Sequence, residues 1–172
     1  MHIPIQYNDC MDEFSYDLSL EMRIKNYINH HLPIAYSITS IAPIFLIGGG
    51  IRDLILANKP KDLDFVILGK ENLDFILQVF KTYNIKFNFN RFGGYKFVYQ
   101  NITCDMWITE DLFSAIEYNV DGIFFHLNSN SLLSFTFDDF LKNGLKLVNP
   151  VNNIQNGREK KLIKFQKDYL NQ

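Results

Sequence analysis

The stretch that decides the fold reads GGGIRDLILANKPKDLDF, from Gly48 to Phe65. Asp62 and Asp64 are separated by one residue, so on an extended backbone their carboxylates project from the same face, about 7 Å apart. Two carboxylates so placed can share divalent cations. Magnesium, or manganese in its place, prefers hard oxygen ligands and completes its shell with water and substrate phosphates. A pair of such ions, about 3.5 to 4 Å apart, can clamp the attacking and leaving oxygens of a displacement.

Immediately upstream, Ile44 to Ile47 is a short apolar run between Pro43 and three glycines, which predicts a buried strand entering a tight turn. Gly48 and Gly49 lack a Cβ, so the backbone can bring its N–H groups against phosphate oxygens at the start of a following helix, predicted over Arg52 to Ala57. The glycines fit neither the G-x-G-x-x-G dinucleotide fingerprint nor the P-loop, which argues against Rossmann and kinase chemistry. Arg52 can contact a triphosphate or form a structural ion pair at the helix start. Asp53 reads as a structural or capping group rather than a metal ligand.

Downstream, Asp64 to Leu68 predicts a second strand, Leu73 to Tyr83 a helix, and Ile85 to Phe89 a third strand. Tyr95 to Tyr99 and Ile102 to Ile108 form a predicted hairpin joined at Gln100 and Asn101. In its second strand Ile102, Cys104, Met106 and Ile108 alternate toward a core, which leaves Thr103, Asp105 and Trp107 on the other face. By itself Asp105 is a surface residue of an amphipathic strand. Beside the upstream motif it becomes the candidate third acid, placed to orient or deprotonate an attacking hydroxyl.

Outside this segment, Leu18 to Leu32 carries apolar positions at helical spacing up to Pro33, with His30 and His31 suited to the helix end. Ile123 to Leu127 predicts a strand whose His126 reads as a core histidine, Phe137 to Lys142 a short helix, and Glu159 to Leu170 a lysine-rich one. The basic face formed by Arg158, Lys160, Lys161, Lys164 and Lys167 either holds an anionic ligand or is simply solvated.

The 172 residues fit one domain, read as a helical extension over 1–40, a catalytic core over 41–150 and a C-terminal helix over 151–172. An apolar share of 47% and a charged share of 21% are ordinary for a globular chain, and 16 Phe and 9 Tyr supply core-filling rings. A formal charge of −2 gives no general attraction to polyanions, so a nucleic acid would need a local basic patch. Cys10 and Cys104 are far apart and lack metal-ligand spacing, so neither a zinc site nor a disulfide framework is indicated, and a cytoplasmic, reducing compartment is the expectation. The N-terminal MHIPIQYNDCMDEF has no leader pattern, and the sequence predicts no membrane span.

With these residues in place, the sequence resembles the head domain of class II tRNA nucleotidyltransferases (CCA-adding enzymes) and bacterial poly(A) polymerases. The family's glycine-glycine-x-valine-arginine-aspartate stretch, its leucines, its proline and its Asp-x-Asp match Gly48 to Asp64 without a gap. FGGYKFVYQNITCDMW is similar to the strand pair that carries the family's third aspartate, at Asp105. EYNVDGIFFHL and KNGLKLVNP echo later head segments.

The resemblance implies an α/β (α+β) polymerase-β-like nucleotidyltransferase fold, a mixed sheet of about five strands flanked by helices. It further implies Mg²⁺ or Mn²⁺ on Asp62, Asp64 and Asp105, and a nucleoside triphosphate against Gly48, Gly49, Arg52, Asp53 and Lys61. The expected reaction transfers a nucleotide to an acceptor hydroxyl, in that family an RNA 3′ end. Two other readings stay open: a silent nucleotide- or partner-binding module, and a toxin- or defence-type enzyme that modifies protein or a small molecule. The chain departs from the family in lacking arginine-arginine-aspartate before EYNVDGIFFHL and the neck motif glutamate-aspartate-x-x-arginine, since Glu110 and Asp111 precede Leu112, Phe113 and Ser114. The family's helical neck, body and tail need more chain than follows Pro150.

Overall fold

A computed structural model describes residues 19–69, 73–90, 93–149 and 158–171. The reading of residues 1–18, Cys10 included, lies outside them. Two N-terminal helices, α1 (Leu20–His31) and α2 (Ile34–Ile38), lead into strand β1 (Ile44–Ile47) and helix α3 (Gly48–Ile55). Strand β2 (Asp62–Leu68), helix α4 (Leu73–Thr82) and strands β3 (Phe87–Phe89), β4 (Tyr95–Tyr99) and β5 (Ile102–Thr109) follow. Strands β6 (Ile123–His126) and β7 (Ser131–Ser134) and helices α5 (Phe137–Asn143) and α6 (Arg158–Leu170) complete the order. Short 3-10 turns at Leu112–Ala115 and Asn119–Asp121 link β5 to β6.

The strands form one seven-stranded sheet in the order β3-β4-β5-β2-β1-β6-β7. The mixed α/β class agrees with the sequence reading, while the sheet has seven strands rather than about five. β7 went unread because SLLS offers two apolar residues between polar ones, too little for a strand signal; its pairing with β6 makes it one. The pair β2 and β5 is parallel and every other pair antiparallel, so the centre of the sheet joins strands distant in sequence.

One sheet face carries the main core. Leu20, Ile24 and Ile28 of α1, Ile34 and Ile38 of α2, Ile51 of α3, Ile76 and Phe80 of α4, and Leu162 and Phe165 of α6 bury there against Leu46, Phe65 and Met106. Ser19 caps α1 by accepting from the Met22 N–H, and His30 and His31 sit in its last turn, as their type favours. The aromatic residues do fill interior space, with Phe80 lying against Phe87, Tyr95 and Phe97. His126 stacks on Phe45 and bonds Ser129 Oγ through Nδ1, and burial holds its ring toward the neutral form.

The opposite face is divided. Around β1 and β6 it is apolar, with Phe45, Ile47, Val66, Ile116 and Phe124 buried together. Around β2, β5 and β4 it is polar, with Asp62 and Lys96 exposed and Asp64 and Asp105 half-buried. Gly94 fixes where β4 meets β5: a Cβ there would lie 2.3 Å from the Met106 carbonyl oxygen and 2.5 Å from the Trp107 Cβ. Gly94→Ala is expected to lower stability by about 3 kcal/mol, the upper range for overpacking, read as a drop in the urea midpoint at unchanged m-value.

Candidate active site

The first correction concerns where the helix after the glycines begins. Arg52 to Ala57 was the expected span, but α3 starts at Gly48, so the glycines form its first turn and Ile47 is its N-cap. Glycine is a poor helix former, and packing overrides that preference. A Cβ on Gly50 would lie 2.8 Å from the Asp62 carbonyl oxygen and 2.9 Å from a Leu63 methyl, so only glycine lets α3 lie this close to β2. Gly48 has φ of +71°, and its absent Cβ would stand 3.0 Å from Asp64 Oδ2. The glycine thus leaves room for a carboxylate beside the N-terminal turn of α3. Gly49 is open there, and a Cβ on it would meet only the Arg52 guanidinium, at 4.0 Å.

Asp62 and Asp64 open β2, and the parallel register sets Asp64 directly beside Asp105 and Asp62 beside Thr103. The three acids are therefore brought together on one polar sheet face. Burial pushes the Asp64 carboxyl up to about 6, and the neighbouring charges of Asp62 and Asp105 add to that. Asp105 is held from two sides, accepting from Asn90 Nδ2 at 3.1 Å and from Lys96 Nζ at 3.2 Å. Asn90 in turn accepts the Gly94 N–H at 2.8 Å, tying the β3–β4 turn to the same carboxylate.

The other expected nucleotide contacts divide. Lys61 is exposed just before β2. Arg52 takes the structural alternative: its Nη1 donates to Asp121 Oδ1 at 2.7 Å and its guanidinium lies 6.0 Å from the centre of the Phe165 ring. Asp53 caps nothing, because α3 begins five residues earlier; burial raises its carboxyl above the ordinary range.

Asp121, Glu117, Lys96 and Asn90 escaped the sequence reading. Asp121 is buried and joins Arg52 to Arg158 of α6, whose Nη2 donates at 2.9 Å; Arg158 also pairs with Glu117. Arg158 is thus a buried-network residue, not part of a solvated basic face, while Lys160, Lys161, Lys164 and Lys167 are exposed and Lys164 pairs with Asp168. Lys96 had a readable signal: a hairpin turning at Gln100 and Asn101 pairs it with Asp105 by register alone.

Asp64 and Asp105, side by side in the register, could hold part of a magnesium shell, and the space at Gly48 is one a Cβ would fill. Among the described residues no group of three His, Cys, Asp or Glu side chains is arranged to hold a metal ion. With Asp105 engaged by Lys96 and Asn90, the protein can supply only part of a shell. Magnesium is commonly held in that way, by one or two carboxylates with water and phosphate oxygens.

No protein-family model matches the chain, and no curated protein matches it in sequence. Solved structures do. The chain superposes on the Thermotoga maritima CCA-adding enzyme complexed with tRNA with a TM-score of 0.59 and 20% identity, over 76% of this chain and 35% of that one. A CCA-adding enzyme in complex with ATP gives 0.60 at 18% identity, over 83% and 38%. A tRNA nucleotidyltransferase complexed with a primer tRNA and an incoming ATP analog gives 0.57 at 16% identity, over 80% and 50%. The fold is that of the nucleotidyltransferases.

The nucleotidyltransferase fold extends through most of this chain, which itself spans between about a third and a half of the length of those proteins. In that fold Asp64 and Asp105 share one register position of the β2–β5 pair, and Asp62 lies two positions earlier, beside Thr103. Among the described residues no helix is long and apolar enough to cross a membrane.

Proposed function

We propose that this chain is a magnesium-dependent nucleotidyltransferase that moves a nucleoside monophosphate from a nucleoside triphosphate to an acceptor hydroxyl, that of an RNA 3′ end, in the cytoplasm. The observation that carries the reading is the parallel register that puts Asp64 beside Asp105, with Asp62 two residues away on the same face, next to a helix whose first turn is glycine. Structural neighbours complexed with ATP, CTP and tRNA support the substrate classes.

In the reaction the acceptor oxygen forms a bond to the α-phosphorus, the bond from that phosphorus to the bridging oxygen breaks, and pyrophosphate leaves. Asp105, held by Lys96 and Asn90, is placed to orient the acceptor hydroxyl and to take its proton. Asp62 and Asp64 would hold Mg²⁺ or Mn²⁺, which supplies charge neutralisation on the phosphates. Gly48 and Gly49 let the triphosphate approach the start of α3, and Lys61 stands exposed at its edge. Most of the rate gain is positioning and charge stabilisation.

The test is to incubate the purified protein with each labelled triphosphate, Mg²⁺ or Mn²⁺, and total cellular RNA and protein, and to follow label. Transfer to RNA is expected, with Asp62→Ala and Asp64→Ala each reduced about a thousandfold. Wild type indistinguishable from both variants in every pool would defeat the proposal, and label in protein alone would replace the acceptor.

A further inference from the structure

The lysine-rich helix α6 presents two unlike faces. Leu162 and Phe165 are buried, and the Phe165 and Tyr169 rings lie 6.0 and 6.2 Å from those of Phe140 and Phe137 in α5. On the other side Lys160, Ile163, Lys164, Lys167 and Leu170 recur at helical spacing, which sets them along one exposed face. Ile163 is 40% and Leu170 67% exposed, so two aliphatic side chains stand in water among lysines. Lys164 pairs with Asp168, while among the described residues Lys160, Lys161 and Lys167 have no carboxylate partner.

The sequence of this chain holds a match for that face. Residues 1–18 carry four acids, Asp9, Asp12, Glu13 and Asp17, and neither lysine nor arginine. Among them stand Met11, Phe14 and Tyr16, apolar counterparts for Ile163 and Leu170. The whole chain has 17 basic and 19 acidic residues, so residues 19–172 hold 17 against 15, and the sign of charge reverses between the two parts. Charges interleaved with apolar side chains suit a protein segment: a phosphate backbone would answer the lysines but not the aliphatic pair, and the face offers no ring for a base. A second exposed apolar pair, Phe113 with Phe135, is flanked by Asp111 and Asp138, which repel an acidic segment. The start of α1 is also well placed. Glu21 accepts the Leu132 N–H of β7 at 3.0 Å, and β7 leads directly into α5, on which α6 packs. The residues before α1 can span up to about 60 Å, against about 20 Å for the length of α6.

We propose that residues 9–17 lie across the outer face of α6 of the same chain, their carboxylates against Lys160, Lys164 and Lys167 and their apolar side chains against Ile163 and Leu170. Exposed ion pairs are individually weak, and attachment to the same chain offsets this by holding the segment at an effective concentration on the order of millimolar. The contact closes the α6 lysines to free polyanions. It does not depend on the transfer reading.

Cys10 places a reporter inside the segment, because the buried Cys104 thiol is pushed up to about 12 and stays unreactive. A nitroxide attached at Cys10 of the full chain is expected to broaden the NMR amide signals of residues 160–170 selectively. Salt at about 1 M, which screens charges beyond about 3 Å, is expected to restore them. Lys160→Glu, Lys164→Glu and Lys167→Glu together should abolish the broadening, and adding Asp9→Lys, Asp12→Lys and Glu13→Lys to that variant should bring it back. The charge swap separates a lost contact from a damaged helix, and a swap that fails to restore the broadening counts against the contact. Unbroadened α6 signals in wild type overturn the proposal, and shifts of those signals on adding a heparin oligosaccharide would then give the face to a polyanion. Broadening that passes only between nitroxide-bearing and isotope-labelled chains in a mixture overturns it as well, and gives the face to a second copy.

Discussion

Asp64→Asn is expected to abolish nucleotide transfer and at the same time to make the metal-free protein more stable above neutral pH. Asp64 is half-buried, and burial together with the Asp62 and Asp105 charges lifts its carboxyl to about 6 from an ordinary value of 3.8. The folded state therefore binds the proton more tightly than the unfolded chain does. Ionisation of Asp64 weakens the fold as pH rises from about 4 through about 6, and the full penalty applies above that. The shift corresponds to at most roughly 3 kcal/mol, and to about half of that once solvent screens a partly exposed group. Thermal melts without divalent ions should show wild type gaining stability on acidification from pH 7.5 to 5, and Asp64→Asn starting higher with a flatter profile. Added magnesium should raise the wild-type midpoint and leave the variant nearly unmoved. A variant less stable than wild type at pH 7.5, or one with the same pH profile, would contradict the assignment of repulsion to this carboxylate.

Asp121→Ala should produce the largest loss of stability. The Asp121 side chain is 2% exposed and takes three donors: Arg52 Nη1 at 2.7 Å, Arg158 Nη2 at 2.9 Å and the Tyr118 N–H at 2.9 Å. Its removal leaves a guanidinium that is only 13% exposed without its counter-charge and a buried N–H without an acceptor. Breaking a buried pair by removing one partner costs about 3–5 kcal/mol, which for a chain of this size is a fall of about 10 °C in thermal midpoint. Arg158 keeps Glu117, so the loss centres on Arg52 and on the attachment of α6. Asp121→Asn, which can retain the Tyr118 bond, should lose about half as much. Equal losses for the two variants would show that the charge contributes nothing.

How far the sequence could be read follows from the range of the forces involved. The Asp62–Asp64 pair, the alternation that turns Asp105 away from the core, and the strand before Gly48 are local patterns, and each is visible within a few residues. The start of α3 was misplaced because a glycine triplet reads as a turn. What makes it helical is the approach of β2, a contact that only the folded chain has. Likewise, α2 is five residues long directly after Pro33 and is stabilised by burying Ile34, Ala35 and Ile38 rather than by its own propensity. The role of Arg52 was left between two readings, and its structural partner, Asp121, is far away in sequence and gives no periodic signal. The link between Lys96 and Asp105 was within reach, since turn and register follow from one another in a hairpin.

The parallel β2–β5 pair also has a bearing on time. It has no hairpin to nucleate it, and the chain between its strands must first be ordered as α4, β3 and β4. Pairings of such separation form late, because loop closure is unfavourable until other contacts are in place. The repulsion between Asp64 and Asp105, and any cation that relieves it, therefore acts on a pairing that no local turn supports.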